Sequence, residues 1–395
     1  QKQQFDTYDS VIRGFNIDGF VKVDSTSSIT LAPGFGAVAR TIDDASMNSL
    51  VANLNTYPEE DLFVPKYNAY AFTLYNTLNA GIFSWYVEGA FKTADPMNDP
   101  LGVIVRDGEP IIGDKFFSET GSVVYSSLSI APPKWGITLE GKRTESFSWR
   151  TRPQAQLNRG LISFLPPMAR INTYRLTARY NAATQDLAEQ AFQIDVRYAP
   201  SRKLGFNVNY SYIDDLSGTK LYRELYTEVA YKHKRLWTLT GGLQLQNYNQ
   251  ERYEFKPEVP IVETLIPYFD FLYKINRKKS IRFEGQYMSI GDDEKAGEKQ
   301  DYGDWVFGLV ELSLGGHWTL VASDMYNITP GKLSPEDETG KLALHYPRFD
   351  VYYTTGPTRL AFSYIKQVEG VVCTGGICRL EPAFSGVRFS ANTSF

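Results

Sequence analysis

The stretch RLWTLTGGLQLQNYN, residues 235–249, places apolar and polar side chains on opposite parities. One parity carries Trp237, Leu239, Leu243 and Leu245, and the other carries Thr238, Thr240, Gln244, Gln246 and Tyr248. Successive side chains leave a β-strand on opposite faces, so this alternation predicts a strand with one apolar and one polar face. A soluble sandwich turns the apolar face inward, whereas a membrane barrel turns it outward to lipid.

Composition narrows the choice between these two classes. The chain has 395 residues and a formal charge of −4, with no block of five or more like charges, so no nucleic-acid partner is expected. Aromatic residues make up 14% of the chain while its mean hydropathy is −0.31, which is typical of barrels with aromatic girdles and polar interiors. No stretch approaches the roughly 18 apolar residues of a spanning helix, so only a closed barrel could cross a bilayer.

The polar faces of further alternating stretches carry charges of both signs. These stretches are QAFQIDVRYAP at 190–200, LGFNVNYSY at 204–212, ELYTEVAYK at 224–232 and SIRFEGQY at 280–287. Charged residues are errors at core positions of a soluble fold, so we expect this face to line a hydrated interior. The residues expected to face the lumen are Glu140, Lys142, Glu224, Glu228, Lys232, Arg282 and Glu284, together with the aromatic residues Tyr86 and Tyr352.

Short and long links alternate from about residue 80 onward. Short links lie near 132–133, 200–201, 233–234, 276–277, 315–316 and 356–357, and long links lie near 95–117, 148–187, 214–219, 249–260, 291–301, 329–343 and 370–382. Short periplasmic turns and long outer loops are typical of outer-membrane barrels. We therefore predict an all-β fold, a single closed antiparallel transmembrane β-barrel.

The pattern predicts about 16 strands, with 14 as the next count and both chain ends in the periplasm. The strands are expected near 11–23, 67–78, 80–94, 118–131, 134–147, 188–200, 203–213, 220–232, 235–248, 261–275, 278–291, 302–314, 316–329, 344–355, 358–369 and 383–395. Alternation is weak at 24–66. Residues 1–66 are therefore taken as an N-terminal segment with the first strand and a loop, and 67–395 as the barrel.

The last strand, FSGVRFSANTSF at 384–395, resembles the signal that delivers barrel proteins to the barrel-assembly machinery. Val387, Phe389 and the terminal Phe395 share its apolar face. The chain begins at Gln1 without Met, which is expected either after removal of a secretory signal or after trimming of the sequence. The predicted location is the bacterial outer membrane, with lipid as a partner.

The two cysteines, Cys373 and Cys378, flank a Thr-Gly-Gly-Ile turn. Such a turn makes a small disulfide loop easy to form in an oxidising compartment. The alternative is two free thiols.

Three stretches resemble a known family: KRTESFSWR at 142–150, LPPMARINTYRL at 165–176 and CTGGICRLEPA at 373–383. They are similar to motifs of a group of large outer-membrane β-barrel proteins from Bacteroidota, classed as a family of unknown function. The resemblance covers roughly residues 80–395. The resemblance implies a barrel fold and an outer-membrane location, and it does not point to any particular activity.

The long link 148–187 contains an apolar run in which Leu161, Ile162, Phe164 and Leu165 are prominent. An apolar run in an outer loop needs cover, so it either folds into the lumen as a plug or contacts a partner protein. The alternative is one more hairpin above the membrane.

In GDDEKAGEKQD, Asp292, Asp293 and Glu294 could offer oxygens to calcium, but interleaved lysines favour a solvated loop.

No catalytic constellation is evident. His233 and His317 fall at predicted short turns and His345 at the outer start of a predicted strand, and no hydrolase, zincin or phosphate-loop motif is present. We expect no enzyme activity, no cofactor and no metal. The preferred function is a structural or accessory subunit of a larger outer-membrane complex, and the alternative is a passive porin-like channel for small polar solutes.

Overall fold

The computed structural model describes residues 10–23, 28–106, 109–113, 115–155, 159–255, 259, 261–291, 303–330, 339–342, 344–367, 370–374 and 377–394. Most of the described residues belong to one antiparallel sheet of 18 strands. Its strands are β1 (Val11–Asp18), β2 (Val21–Lys22), β3 (Ile29–Thr41), β4 (Asn68–Ala80), β5 (Phe83–Asp99), β8 (Lys115–Ile130), β9 (Trp135–Glu145), β10 (Ala188–Ser201), β11 (Leu204–Asp214), β12 (Lys220–His233), β13 (Trp237–Asn249), β14 (Ile261–Asn276), β15 (Lys279–Ile290), β16 (Trp305–Leu314), β17 (Trp318–Asn327), β18 (Arg348–Thr355), β19 (Thr358–Gln367) and β22 (Phe384–Thr393).

The remaining elements lie in the links between those strands. Two small hairpins are β6 (Val103–Arg106) with β7 (Glu109–Ile112), and β20 (Gly370–Thr374) with β21 (Ile377–Glu381). Two helices are α1 (Asp44–Leu54) and α2 (Gln250–Glu254), and a 3₁₀ turn spans Glu59–Asp61. Among the described residues, none of the helices is both long enough and apolar enough to cross a membrane.

Each strand of the large sheet pairs with its neighbour in the chain. β1 and β2 follow one another along the same edge of β3, so the 18 strands occupy 17 positions from β1 to β22. Tight turns join the strands at one end of the sheet, which we call the short-turn end. The longer links, including both helices and both hairpins, lie at the opposite end, the long-loop end.

All sixteen strands predicted from alternation are present in the large sheet, which has one further strand, β3, between the first two. The four strands of the two small hairpins lie in stretches that were predicted as long links. The prediction of about 16 strands, or 14, was therefore too low. The additional strand reverses β1, which starts at the long-loop end, whereas β22 ends at the short-turn end. The expectation that both chain ends share one side was wrong for the described residues.

β3 escaped prediction because glycine replaces the expected side chains on one of its faces. A Cβ on Gly34 would lie 2.1 Å from Cζ of Tyr75, and one on Gly36 would lie 2.9 Å from Cγ2 of Thr73. Both neighbours belong to β4 and point to the same face as the glycines. The strand therefore has small residues where the alternation pattern requires large or polar ones.

The sheet exposes its apolar face and buries its polar face. In β13, Leu239 and Leu245 are 42% and 41% exposed, whereas Gln244 and Gln246 are 0% and 4% exposed. The arrangement recurs along the sheet, where large exposed apolar residues include Phe192, Val208, Leu225, Leu265, Phe283 and Phe362. This is the reverse of a soluble sandwich, whose apolar faces pack together.

Candidate channel interior

The polar inward face is closed at the long-loop end and open at the short-turn end. Along β10, side-chain exposure rises from 0% at Glu189 to 72% at Arg197. Along β12, Glu224 is fully buried whereas Lys232 is exposed. The interior is thus a vestibule that faces the short turns and is blocked farther in.

The blocking element is the link between β9 and β10, which we call the plug segment, residues 146–187. Of its described residues, Met168, Leu176 and Tyr180 belong to the largest buried apolar cluster. The sheet contributes Ile266, Met288, Trp305 and others to that cluster. The apolar core of this protein therefore lies inside the sheet, between the wall and the plug segment.

The backbone of the plug segment forms hydrogen bonds with inward side chains of the sheet, which we call the wall. In a helix or strand these backbone groups would bond to one another. Gln286 Oε1 accepts a hydrogen bond from Leu176 N at 2.7 Å, and Gln246 Nε2 donates to Tyr180 O at 2.6 Å. Gln244 Nε2 also donates to a plug carbonyl, that of Thr177. Buried backbone groups need such partners, so inward amides are what an irregular plug requires.

A buried ion pair fixes the middle of the plug segment. Lys142 Nζ lies 2.8 Å from Glu189 Oε1, and both side chains are 0% exposed. The same ammonium group donates to Pro166 O at 2.7 Å, and Glu189 Oε2 accepts from Gln185 N at 2.7 Å. This ion pair therefore links strands β9 and β10 to each other, and it forms hydrogen bonds with the plug segment at Pro166 and Gln185.

A second buried cluster fixes the beginning of the plug segment. Arg40 is paired with Asp95, and Lys92 Nζ lies 3.4 Å from the other oxygen of that carboxylate. Lys92 donates to Ser148 O at 2.8 Å and Arg40 to Arg150 O at 2.9 Å. The sequence analysis missed this cluster, although Lys92 continues the inward parity of Tyr86.

All seven residues expected to face the lumen lie on the inward parity of their strands. They do not form one site. Glu140 accepts a hydrogen bond from Tyr125, and Glu228 accepts one from Tyr226 at 2.6 Å.

Arg282 joins two further inward acids, because it lies 2.7 Å from Asp270 and 2.5 Å from Glu284. Glu224 accepts a hydrogen bond from Asn172 of the plug segment at 2.8 Å. Tyr352 lies under the guanidinium of Arg359 at 4.3 Å.

The apolar run of the plug segment is only partly covered. Ile162 and Leu165 pack against a buried cluster that includes Val123 and Trp149, whereas Phe164 is 64% exposed. Leu161 forms an isolated bridge with Arg150.

The C-terminal apolar residues Val387 and Phe389 lie on the outer face of β22 and are 58% and 68% exposed. Phe395, Asp292, Asp293 and Glu294 lie outside the described residues. Within the described part of the chain, no group of three or more His, Cys, Asp or Glu residues could hold a metal ion.

The cysteines occupy a small hairpin at the long-loop end. In the pairing of β20 with β21, Cys373 and Cys378 are direct cross-strand partners. The disulfide stays a prediction.

The whole chain, residues 1–395, matches the family of unknown function DUF6029, and the protein belongs to that family. The resemblance to a family of unknown function is thereby confirmed, and the match extends through the N-terminal segment. An origin in Bacteroidota stays a prediction. A search of curated proteins finds no match.

Several solved structures are similar to this one at low sequence identity. Pseudomonas aeruginosa OccK8 (OprE) is 10% identical, with 97% of this chain and 92% of that chain covered and a TM-score of 0.42. Acinetobacter baumannii OccAB2 is 12% identical, with coverages of 96% and 90% and a TM-score of 0.45. A mutant porin of Rh. blastica is 12% identical, with coverages of 84% and 95% and a TM-score of 0.34.

Proposed function

We propose that the protein spans the bacterial outer membrane as a closed barrel and forms a gated channel for small polar solutes. The observation that carries this proposal is the inverted exposure of the sheet, with an apolar outer face and a polar inner face that opens into a vestibule. An apolar surface of this extent is unfavourable in water and is stable against lipid. The plug segment would be the gate.

Aromatic side chains at the short-turn end support a membrane location. Trp135 stacks on Tyr198 with ring centroids 4.2 Å apart, and Trp318 lies 4.7 Å from Tyr353. Amphipathic aromatic residues concentrate where hydrocarbon meets the headgroups. We place this end in the periplasm because outer-membrane barrels have their short turns there.

Closure of the barrel requires β1 to pair with β22. Among the described residues, β1 pairs only with β3 and β22 only with β19, so each has one edge without a neighbour. Both strands run from the long-loop end to the short-turn end, so their pairing would be parallel.

Conductance in planar bilayers tests the channel. We expect the full-length barrel to show infrequent openings, and a variant with residues 148–186 replaced by a short Gly/Ser linker to conduct steadily, because the lumen then loses its plug. The matched control carries the same linker in the β13–β14 link and should behave like the full-length protein. If the plugless barrel folds and conducts nothing, the channel proposal fails.

An accessory role in a larger complex remains the second candidate. Its specific support is Leu62 and Val64, which are 48% and 87% exposed in the β3–β4 link at the long-loop end. Exposed apolar side chains beside one another suit a protein contact. Purification in mild detergent should then retain a stoichiometric partner that is lost from a Leu62→Ser, Val64→Ser variant. Recovery of a lone barrel would count against this role.

A further inference from the structure

A cavity of about 480 Å³ lies between the plug segment and the strands β1, β3, β4, β5 and β8. The plug segment contributes the stretch from Ile162 to Pro166 together with Phe147 and Trp149. The volume is in the range of small-molecule sites, which are commonly about 300–1,000 Å³. We call this space the lumen cavity.

The lining of the lumen cavity is mostly apolar and aromatic, and it carries one charge. Tyr86 and Tyr125 lie on the lining with ring centroids 6.0 Å apart, close to the apolar residues Val38 and Val123. Among the described residues that line the cavity, Glu88 is the only charged one. An anion would therefore lose solvation without gaining a positive partner.

Glu88 has neutral partners at both carboxylate oxygens. Thr73 Oγ1 donates to Oε1 at 2.5 Å, and Tyr86 Oη donates to Oε2 at 2.5 Å. In the part of the chain that the structure describes, no lysine or arginine forms an ion pair with Glu88. Its charge is oriented by hydroxyl groups and is not neutralised by the protein.

Two other residues of the lining carry a buried polar atom that has no hydrogen-bond partner among the described residues. Trp149 is 3% exposed, and its Nε1 has no hydrogen-bond partner among the described residues. Ser163 Oγ in the plug segment is likewise buried without one. Buried polar atoms are nearly always satisfied, so their position on a cavity wall points to a bound molecule with polar atoms of its own.

We infer that the lumen cavity binds a small organic cation, an amine with an apolar or aromatic body. The ammonium group would pair with Glu88 and lie near the tyrosine rings, which attract cations at their faces. The apolar body would fill the space beside Phe147 and Ile162. The binding site itself does not depend on the proposed channel function. The inference rests on that function only where it takes the ligand to be a solute that enters the lumen.

Calorimetry on the detergent-solubilised full-length barrel tests the site with three probes of one shape: 4-phenylbutylammonium, 4-phenylbutanol and 4-phenylbutyrate. We expect the ammonium to bind at least about tenfold more tightly than the carboxylate, because the cavity has a negative group only. Glu88→Gln keeps the size of the side chain and removes its charge, so it should abolish most of that preference. Ala90→Leu, which fills the cavity from the wall, should weaken the ammonium and the alcohol together.

Glu228→Gln is the matched control. Glu228 is another inward glutamate that accepts a tyrosine hydroxyl, but it lies outside the lumen cavity. Its replacement should leave ammonium binding unchanged. Equal affinity for ammonium and carboxylate, an unaltered Glu88→Gln variant, or no binding to the folded wild-type barrel would each overturn the inference. Conductance is measured separately, so a barrel that conducts without binding the amine refutes the site alone, and one that binds without conducting refutes the channel alone.

Discussion

Single charged side chains on the inward face of the sheet donate hydrogen bonds to backbone carbonyls of the plug segment. Lys142 is the clearest case, because its ammonium group holds Glu189 of the wall and the carbonyl of Pro166 at once. A buried ion pair is costly to desolvate, and removal of one partner leaves the other charged and unpaired. The contribution of the ion pair to the stability of the plugged state is therefore best measured by replacing first one partner and then both.

We expect Lys142→Met to destabilise the plugged state by about 3–5 kcal/mol, because it leaves Glu189 buried without a cation. Channel openings should become much more frequent. The double variant Lys142→Met, Glu189→Met removes both charges and should close the channel again. Open probability in planar bilayers measures both effects. If the single and double variants open equally often, the ion pair does not hold the plug.

Asp43 caps α1 at the long-loop end, where the helix packs near the start of the plug. Its side chain accepts hydrogen bonds from Ser46 N and Ser46 Oγ, both at 2.8 Å, and from Ser10 Oγ at 2.9 Å. Burial acts to raise the pKa of Asp43, but these hydrogen bonds outweigh it and hold the pKa below the usual value. The charged form of the cap is therefore the stabilising form.

Asp43→Ala should destabilise α1 by about 1 kcal/mol near neutral pH. Because the folded pKa lies below the unfolded value of about 3.9, the charge-dependent stabilisation is present above that value and is lost as the pH falls through the folded pKa. Hydrogen exchange of the α1 amides measures the effect. Asp43→Asn keeps a cap without this titration, so a pH dependence that persists in the Asn variant would refute the assignment.

Sequence parity assigns side chains to one face or the other of a strand, but it does not identify their partners. Glu140 and Lys142, for example, share one parity of the predicted strand 134–147. The bonds from Lys142 to Pro166 and from Gln286 to Leu176 join positions that only the folded plug brings together. Periodicity describes one strand at a time, so it cannot predict contacts between the strands and the plug segment.

Among the strands, β3 shows how close packing can erase a periodic signal. Gly34 leaves room for the ring of Tyr75, whose hydroxyl is hydrogen-bonded to Asn16 Nδ2 at 2.7 Å. A larger residue at 34 would strengthen the alternation in the sequence and displace the tyrosine. The fifteen predicted strands from 67 onward lack this constraint over most of their length, and simple alternation was sufficient to find them.

Gly34→Ala should destabilise the barrel by about 1–3 kcal/mol, because the new Cβ forces Tyr75 away from Asn16. Gly89→Ala is the control, since a Cβ there meets nothing within 4 Å. The temperature at which the folded band disappears in semi-native electrophoresis compares the two variants. A Gly34→Ala barrel that melts with the wild type would show that this contact carries no stability.

The hairpin β20–β21 brings Cys373 and Cys378 opposite each other. Directly paired residues of an antiparallel ladder have Cα atoms about 4.5–5.5 Å apart, within the range that disulfides span. We expect protein isolated from an oxidising compartment to resist alkylation until it is reduced. Alkylation of both thiols without reductant would establish the alternative, two free cysteines.

In the complete sheet, the number of strands determines how the barrel can close. With 17 positions, an odd number, the first and last strands run in the same direction. Unpaired strand edges invite association with other chains, so a barrel gains by joining them. Alternation predicted a closed barrel with an even number of strands. The additional strand β3 makes the number of positions odd and reverses the direction of β1.

Disulfide cross-linking tests this parallel seam in a background where Cys373 and Cys378 are replaced by serine. One cysteine is placed at Ile17 on the outer face of β1, and a second in turn at Val387, Phe389 or Ala391 on the outer face of β22. If the strands pair, one of these positions should cross-link efficiently, because only neighbouring Cα atoms lie within reach of a disulfide.

Two controls fix the interpretation of that experiment. Cysteines at Phe362 and Phe389, which are direct partners in β19 and β22, should cross-link in any folded barrel. Cysteines at Ile17 and Arg388 should not, because Arg388 has the opposite parity and faces the lumen. Should the β19–β22 control cross-link while all three β1–β22 pairs stay reduced, the sheet is open between these strands. A membrane barrel could not tolerate that opening, because the unpaired backbone groups of both edges would lie in hydrocarbon.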